Sequence, residues 1–84
     1  MKYIVTITEA GKQEIFIFPR AVHHDCMAEM LSRIKNQSGG QWQRVHRRPV
    51  SAGFIDGVKC YGRSETLNLD SRGRLDEMLI GDTP

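Results

Sequence analysis

The sequence predicts an α+β domain. Its expected core is an antiparallel sheet of four to six strands in the order ββ-α-ββ(β)-α, with the helices packed on one face. Three observations carry this reading. Residues 2–8 and 14–18 are rich in β-branched and aromatic side chains and flank a short loop containing Gly11, the pattern of a hairpin. Asp56-Gly57 lies between two further apolar runs, the strongest short-range hairpin signal. Between these two hairpins, Met27, Met30, Leu31 and Ile34 recur at i, i+3, i+4 and i+7, the stripe of an amphipathic helix. Hairpins impose antiparallel pairing, and helices then cover a face of the sheet.

The elements follow in order. In the first strand Tyr3, Val5 and Ile7 share one face, and Lys2, Ile4, Thr6 and Thr8 the other. The second strand, Glu14 to Phe18, is apolar on both faces, which suits a strand central in the sheet or covered on both sides. Pro19 stops it. The helix over 22–36 carries Asp25 in its first turn, pairs Glu29 with Arg33 four residues on, and ends at Ser38-Gly39-Gly40. Gln41 to Arg48 reads as a third strand, bent or interrupted at Pro49. Residues 50–55 and 58–61 form the hairpin around Asp56-Gly57, and Thr66 to Leu69 extends it or adds a strand. Asp70 or Ser71 caps a closing helix whose apolar stripe is Leu75, Met78 and Leu79, ended by Gly81. The expected core is Val5, Ile7, Ile17, Leu31, Ile34, Phe54, Val58 and Leu79.

The 84 residues form a single domain, 1–84, because domains of roughly 100–200 residues are the norm. Hydrophobic residues make up 39%, charged residues 26%, and the net charge is +2. This excludes intrinsic disorder and fibrous classes and predicts a thin core. No stretch approaches the roughly 18 apolar residues of a membrane span. The opening twelve residues alternate rather than form the apolar run of a signal peptide, so the expected location is the cytoplasm. Cys26 and Cys60 are then free thiols rather than a disulfide staple.

Charge is uneven. Residues 41–63 hold Arg44, Arg47, Arg48, Lys59 and Arg63 against one acid, Asp56, whereas residues 64–84 hold five acids against Arg72 and Arg74. The segment Trp42 to Arg48 interleaves an aromatic with Arg44, His46, Arg47 and Arg48, the composition of a surface that stacks a base and neutralises phosphates. The competing reading is a solvated strand that answers the acidic tail. His23, His24, Asp25 and Cys26, with His46 and Cys60, offer zinc-ligand types but lack the usual ligand spacings, so neither a metal nor a cofactor is expected. No nucleophile elbow, phosphate loop or dinucleotide fingerprint occurs, which argues against an enzyme. Phe16 and Phe18 are the candidate protein-binding residues, as an apolar excess on one strand.

Tyr61-Gly-Arg-Ser-Glu-Thr-Leu-Asn-Leu-Asp-Ser-Arg-Gly73, with Tyr3 to Thr8 and Ile15 to Arg20, resembles segments of small uncharacterised proteins encoded by bacterial phages and prophages. The resemblance implies a cytoplasmic accessory protein of a mobile element. The expected function is a non-catalytic module that binds another protein, of host or phage. The alternative is a nucleic-acid-binding module that uses Trp42, Arg44, Arg47, Arg48, Lys59 and Arg63. A free sheet edge would also offer a route to a homo-oligomer.

Overall fold

The computed structural model describes residues 1–33, 35–36, 43–44 and 47–81. The chain runs β1 (Lys2–Thr8), β2 (Gln13–Phe18), α1 (His24–Arg33), β3 (Lys35–Asn36), β4 (Gln43–Arg44), β5 (Arg47–Asp56), β6 (Lys59–Tyr61), β7 (Arg63–Ser64), β8 (Leu69–Asp70) and α2 (Arg74–Gly81). The main sheet is antiparallel, with strand order β2-β1-β5-β6. β3 pairs with β4, and β7 with β8, as two-residue ladders. The α+β class and the antiparallel sheet therefore hold. The central strands are β1 and β5, however, and β2 is an edge. No helix among the described residues is long and apolar enough to cross a membrane.

The sheet is covered on both faces, not on one. Strand alternation sends Tyr3 and Val5 to one face, where they pack with Ile55 and Cys60 beneath Leu79 and Ile80 of α2. It sends Ile4 to the other face, where Ile4 and Ala52 pack with Phe18 and with Met27, Ala28 and Leu31 of α1. β1 is buried on both faces for this reason. The register of β1 on β5 shifts between Val5 and Thr6, so that Val5 faces Ser51 and Thr6 faces Pro49. Pro49, which has no N–H to give, is accommodated at this bulge.

Each helix meets the sheet through a polar residue that fixes its rotation. In α1, the buried His24 donates Nε2–H to Gly53 O at 2.9 Å. The inward stripe is therefore His24, Met27, Ala28 and Leu31, and Met30 faces solvent, 60% exposed. α1 ends at Arg33, and 35–36 turn to strand, so the expected helix to residue 36 is shortened. In α2, Asp76 is fully buried. Its Oδ1 accepts from Ser51 Oγ at 2.9 Å and Arg72 Nε at 2.8 Å. Its Oδ2 accepts from Tyr3 Oη at 2.5 Å and Arg72 N at 2.9 Å. The last of these is a capping contact at the helix start. A carboxylate with four donors aimed at it turns the helix so that Asp76, Leu79 and Ile80 face the sheet. Leu75 and Met78, expected in the stripe, stand outward.

The β5–β6 hairpin closes one residue later than Asp56-Gly57. Asp56 pairs with Lys59, so the two-residue loop is Gly57-Val58. Gly57 has φ +61° and occupies the first loop position, where a type II′ turn takes glycine. A one-residue slip moves every side chain beyond it to the other face. Val58 consequently leaves the core and is exposed at the turn. Ile17, also expected in the core, is 46% exposed because β2 is an edge. Ile34 lies outside the described residues.

Candidate functional site

Among the described side chains, Arg47, Arg48, Lys59 and Arg63 do not form one surface. Arg47 and Arg48 are neighbours on β5, so their side chains leave opposite faces of the strand. Arg47 turns inward. Its guanidinium lies 5.6 Å from the centre of the Phe16 ring, donates to Leu31 O at 3.2 Å and stands 3.8 Å from Glu14. It ties α1 to the sheet. Arg48 is exposed beside Ile7. Arg44 lies in β4, while Trp42 and His46 fall outside the described residues. The aromatic residues nominated for protein binding are also occupied. Phe18 is 3% exposed within the core beneath α1, and Phe16 is partly buried under Arg47.

Lys59 pairs with Asp56 at the other end of β5, nine residues and roughly 30 Å along the strand from Arg47 at about 3.3 Å per residue, and Arg63 follows on β7. Here a row of rings runs outward from the core. Phe18 meets His24 edge-on at 5.5 Å, and His24 meets Phe54 edge-on at 5.9 Å. Phe54 stacks on Tyr61 at 6.0 Å with 29° between the planes. Phe54 and Tyr61 are direct cross-strand partners on β5 and β6, and Tyr61 is 50% exposed. Gly53, next to Phe54, has no room for a side chain, because a Cβ there would meet the carbonyl oxygen of Tyr61.

Cations surround these rings. Arg20 sits 5.7 Å over Phe54, a cation–π contact. Lys2 Nζ donates to Val22 O at 3.0 Å, which fixes its ammonium at the sheet end. Arg63 Nη2 donates to Asn68 Oδ1 at 2.6 Å, its Nε lies 3.8 Å from Asp70, and the side chain remains 51% exposed. Lys59 is exposed on β6, two residues before Tyr61 and on the same side of the strand. A cleft of about 490 Å³ opens beside Tyr61, lined by Lys2, His24, Phe54, Tyr61, Arg63 and Glu65 among others, with Lys59 outside its lining. Burial pulls the His24 imidazole below its usual range, and the charge of Lys2 adds to this. The ring is neutral at pH 7 and supports the aromatic row instead of adding charge.

This arrangement offers a planar apolar face for a ring and cations for an anion attached to it. Sequence reading found Lys59 and Arg63 but missed Phe54, Tyr61, Lys2 and Arg20. The signal for the ring pair was present: with the loop placed at Gly57-Val58, Phe54 and Tyr61 fall opposite one another.

Among the described residues no group of three His, Cys, Asp or Glu side chains is placed to hold a metal. Both cysteines are free; Cys26 is exposed on α1, and Cys60 is buried on the opposite face of the sheet. No family model, curated protein or solved structure matches the chain.

Proposed function

We propose that the protein is a non-catalytic module that binds single-stranded nucleic acid at the Tyr61 cleft. The observation that carries this reading is the half-exposed Tyr61, stacked on Phe54 and flanked in the cleft by Lys2 and Arg63. Base stacking on an aromatic side chain contributes about 1–3 kcal/mol per base, and neighbouring cations neutralise phosphates and release counterions. A duplex hides its base faces, so single strands are preferred. Such a module suits a cytoplasmic accessory of a mobile element, the role implied by the phage resemblance.

The test is a fluorescence anisotropy titration with labelled single- and double-stranded oligonucleotides at low salt. Tyr61→Ala is expected to weaken single-strand binding by about 1–3 kcal/mol. Arg63→Ala is expected to reduce the slope of log K against log salt by about 1. Undetectable binding at about 100 μM, the weak end of ordinary non-specific affinity, defeats the proposal.

A second reading, binding to another protein, is favoured by a different observation. Ile17, Leu75 and Met78 are 46%, 61% and 63% exposed, and among the described residues β2 is an edge of the main sheet with no strand on its outer side. Partner binding there depends on apolar area and responds weakly to salt. Leu75→Glu with Met78→Glu removes it and leaves oligonucleotide binding intact. Light scattering shows whether the partner is a second copy.

A further inference from the structure

Resting on the nucleic-acid reading, we infer that the cleft selects guanine, and that Glu65 is the residue that does so. Glu65 lines the same cleft as Tyr61, Phe54, Lys2 and Arg63. Its carboxylate has no ion-pair partner among the described residues. A lone carboxylate among cations repels the phosphates that those cations attract. It therefore meets the end of a nucleotide that carries N–H donors, which is the edge of the base.

The position is held firmly. Glu65 opens the four-residue turn between β7 and β8. The buried Ser64 Oγ accepts from Leu67 N at 3.2 Å and lies 3.3 Å from Thr66 Oγ1. Asn68 N donates to Glu65 O at 3.3 Å. Arg63 holds the far side of the turn through Asn68 Oδ1. Backbone and side-chain bonds thus fix the frame from which Glu65 projects, so only its own side chain remains to be ordered on binding.

The chemistry of the bases then decides. An ionised carboxylate only accepts, through two oxygens side by side. Guanine alone presents two adjacent donors on its pairing edge, N1–H and the exocyclic N2–H, which meet both oxygens in parallel. Adenine and cytosine offer one amino group beside an unprotonated ring nitrogen, whose lone pair opposes the second oxygen. Thymine and uracil offer one N–H between two carbonyls. Charge-assisted bidentate pairs are the strong ones, and a good bidentate contact discriminates against the wrong base by about 5–150-fold.

The experiment uses eight-nucleotide thymidine strands carrying one central guanine, adenine, cytosine or inosine, titrated against the 84-residue protein. The guanine strand is expected to bind about 5–150-fold tighter than the adenine or cytosine strand. Inosine, which lacks the N2 amino group, falls between them. Glu65→Gln brings the guanine-to-adenine ratio close to one, and a thermal melt confirms that the variant is folded. Equal binding of all strands by the unmodified protein overturns the guanine assignment and leaves the nucleic-acid reading standing. A preference that survives Glu65→Gln overturns the role of Glu65. No binding by any strand overturns both.

Discussion

At the scale of single residues, two buried groups set how the protein responds to pH and to thiol reagents. His24 is neutral in the folded state because burial and Lys2 pull its proton affinity below the ordinary value of 6.5. The unfolded chain protonates the same ring near 6.5, so below that pH it binds a proton that the folded state refuses. The contribution is complete above about pH 6.5 and is lost as the pH falls toward the folded value. Urea midpoints between pH 7.5 and 5 should therefore decline, and His24→Gln should flatten the part of that decline that belongs to the ring. Cys60 behaves in the opposite sense. Burial first, then Asp76 and Glu77, push its thiol up to about 11. Its stability contribution is lost as the pH rises from about 9 toward 11. In a thiol-reactive dye assay at pH 8, the native protein should react once, at Cys26, and the urea-unfolded chain twice. Two rapid native reactions would show that Cys60 is not enclosed. Tyr3 is tied more tightly still, 2.5 Å from both Asp76 and Ser71. Tyr3→Phe leaves buried partners short of a bond and should cost about 1–3 kcal/mol in denaturant melts.

At the scale of elements, apolar spacing located each helix and strand pairing located each hairpin, but neither fixed rotation or register. In α1 the periodic positions Met27 and Leu31 do face the sheet. Met30 does not, because the bond from His24 to Gly53 turns the stripe toward the helix start. Leu31→Ala should therefore cost about 2–5 kcal/mol, while Met30→Ala should fall within about 0.5 kcal/mol of neutral. Equal losses at the two positions in chemical denaturation would refute the rotation. In α2 the residue that sets the inward face is an aspartate, which no hydrophobic pattern can reveal; its four donors come from Tyr3, Ser51 and Arg72, distant in sequence or in side-chain reach. The second hairpin shows the same limit. Asp56-Gly57 marked the turn, yet glycine takes the first loop position and not the second, and that single step hid the Phe54–Tyr61 pair. Within the basic run 44–48, Arg47 and Arg48 are adjacent on β5 and point to opposite faces, so these two do not share one surface.

At the scale of the whole molecule, the two-sided sheet explains why so short a chain buries what it does. Covering both faces lets β1 contribute Tyr3, Ile4 and Val5 to two separate clusters, each closed by its own helix. The sequence of β1 already carried this, with apolar residues at successive positions as a central strand requires. The two-faced pattern of β2 invited the same inference, but β2 spends its second face on an edge. The two faces also serve different ends. The face under α1 opens at the sheet end into the aromatic cleft, whereas the face under α2 is locked by the Asp76 network.

That lock has a consequence for how the protein comes into being. The carboxylate that satisfies the first strand resides in the last helix, 73 residues away from Tyr3. A nascent chain on the ribosome holds β1 long before it holds Asp76, and the hydroxyls of Tyr3 and Ser51 wait for a partner not yet made. This network can therefore close only after residue 76 has been made. A chain interrupted anywhere before residue 76 is not a smaller version of this protein. It leaves a sheet with one bare face and the hydroxyls of Tyr3 and Ser51 without their shared acceptor, so limited proteolysis should cut such a truncation faster than the 84-residue chain.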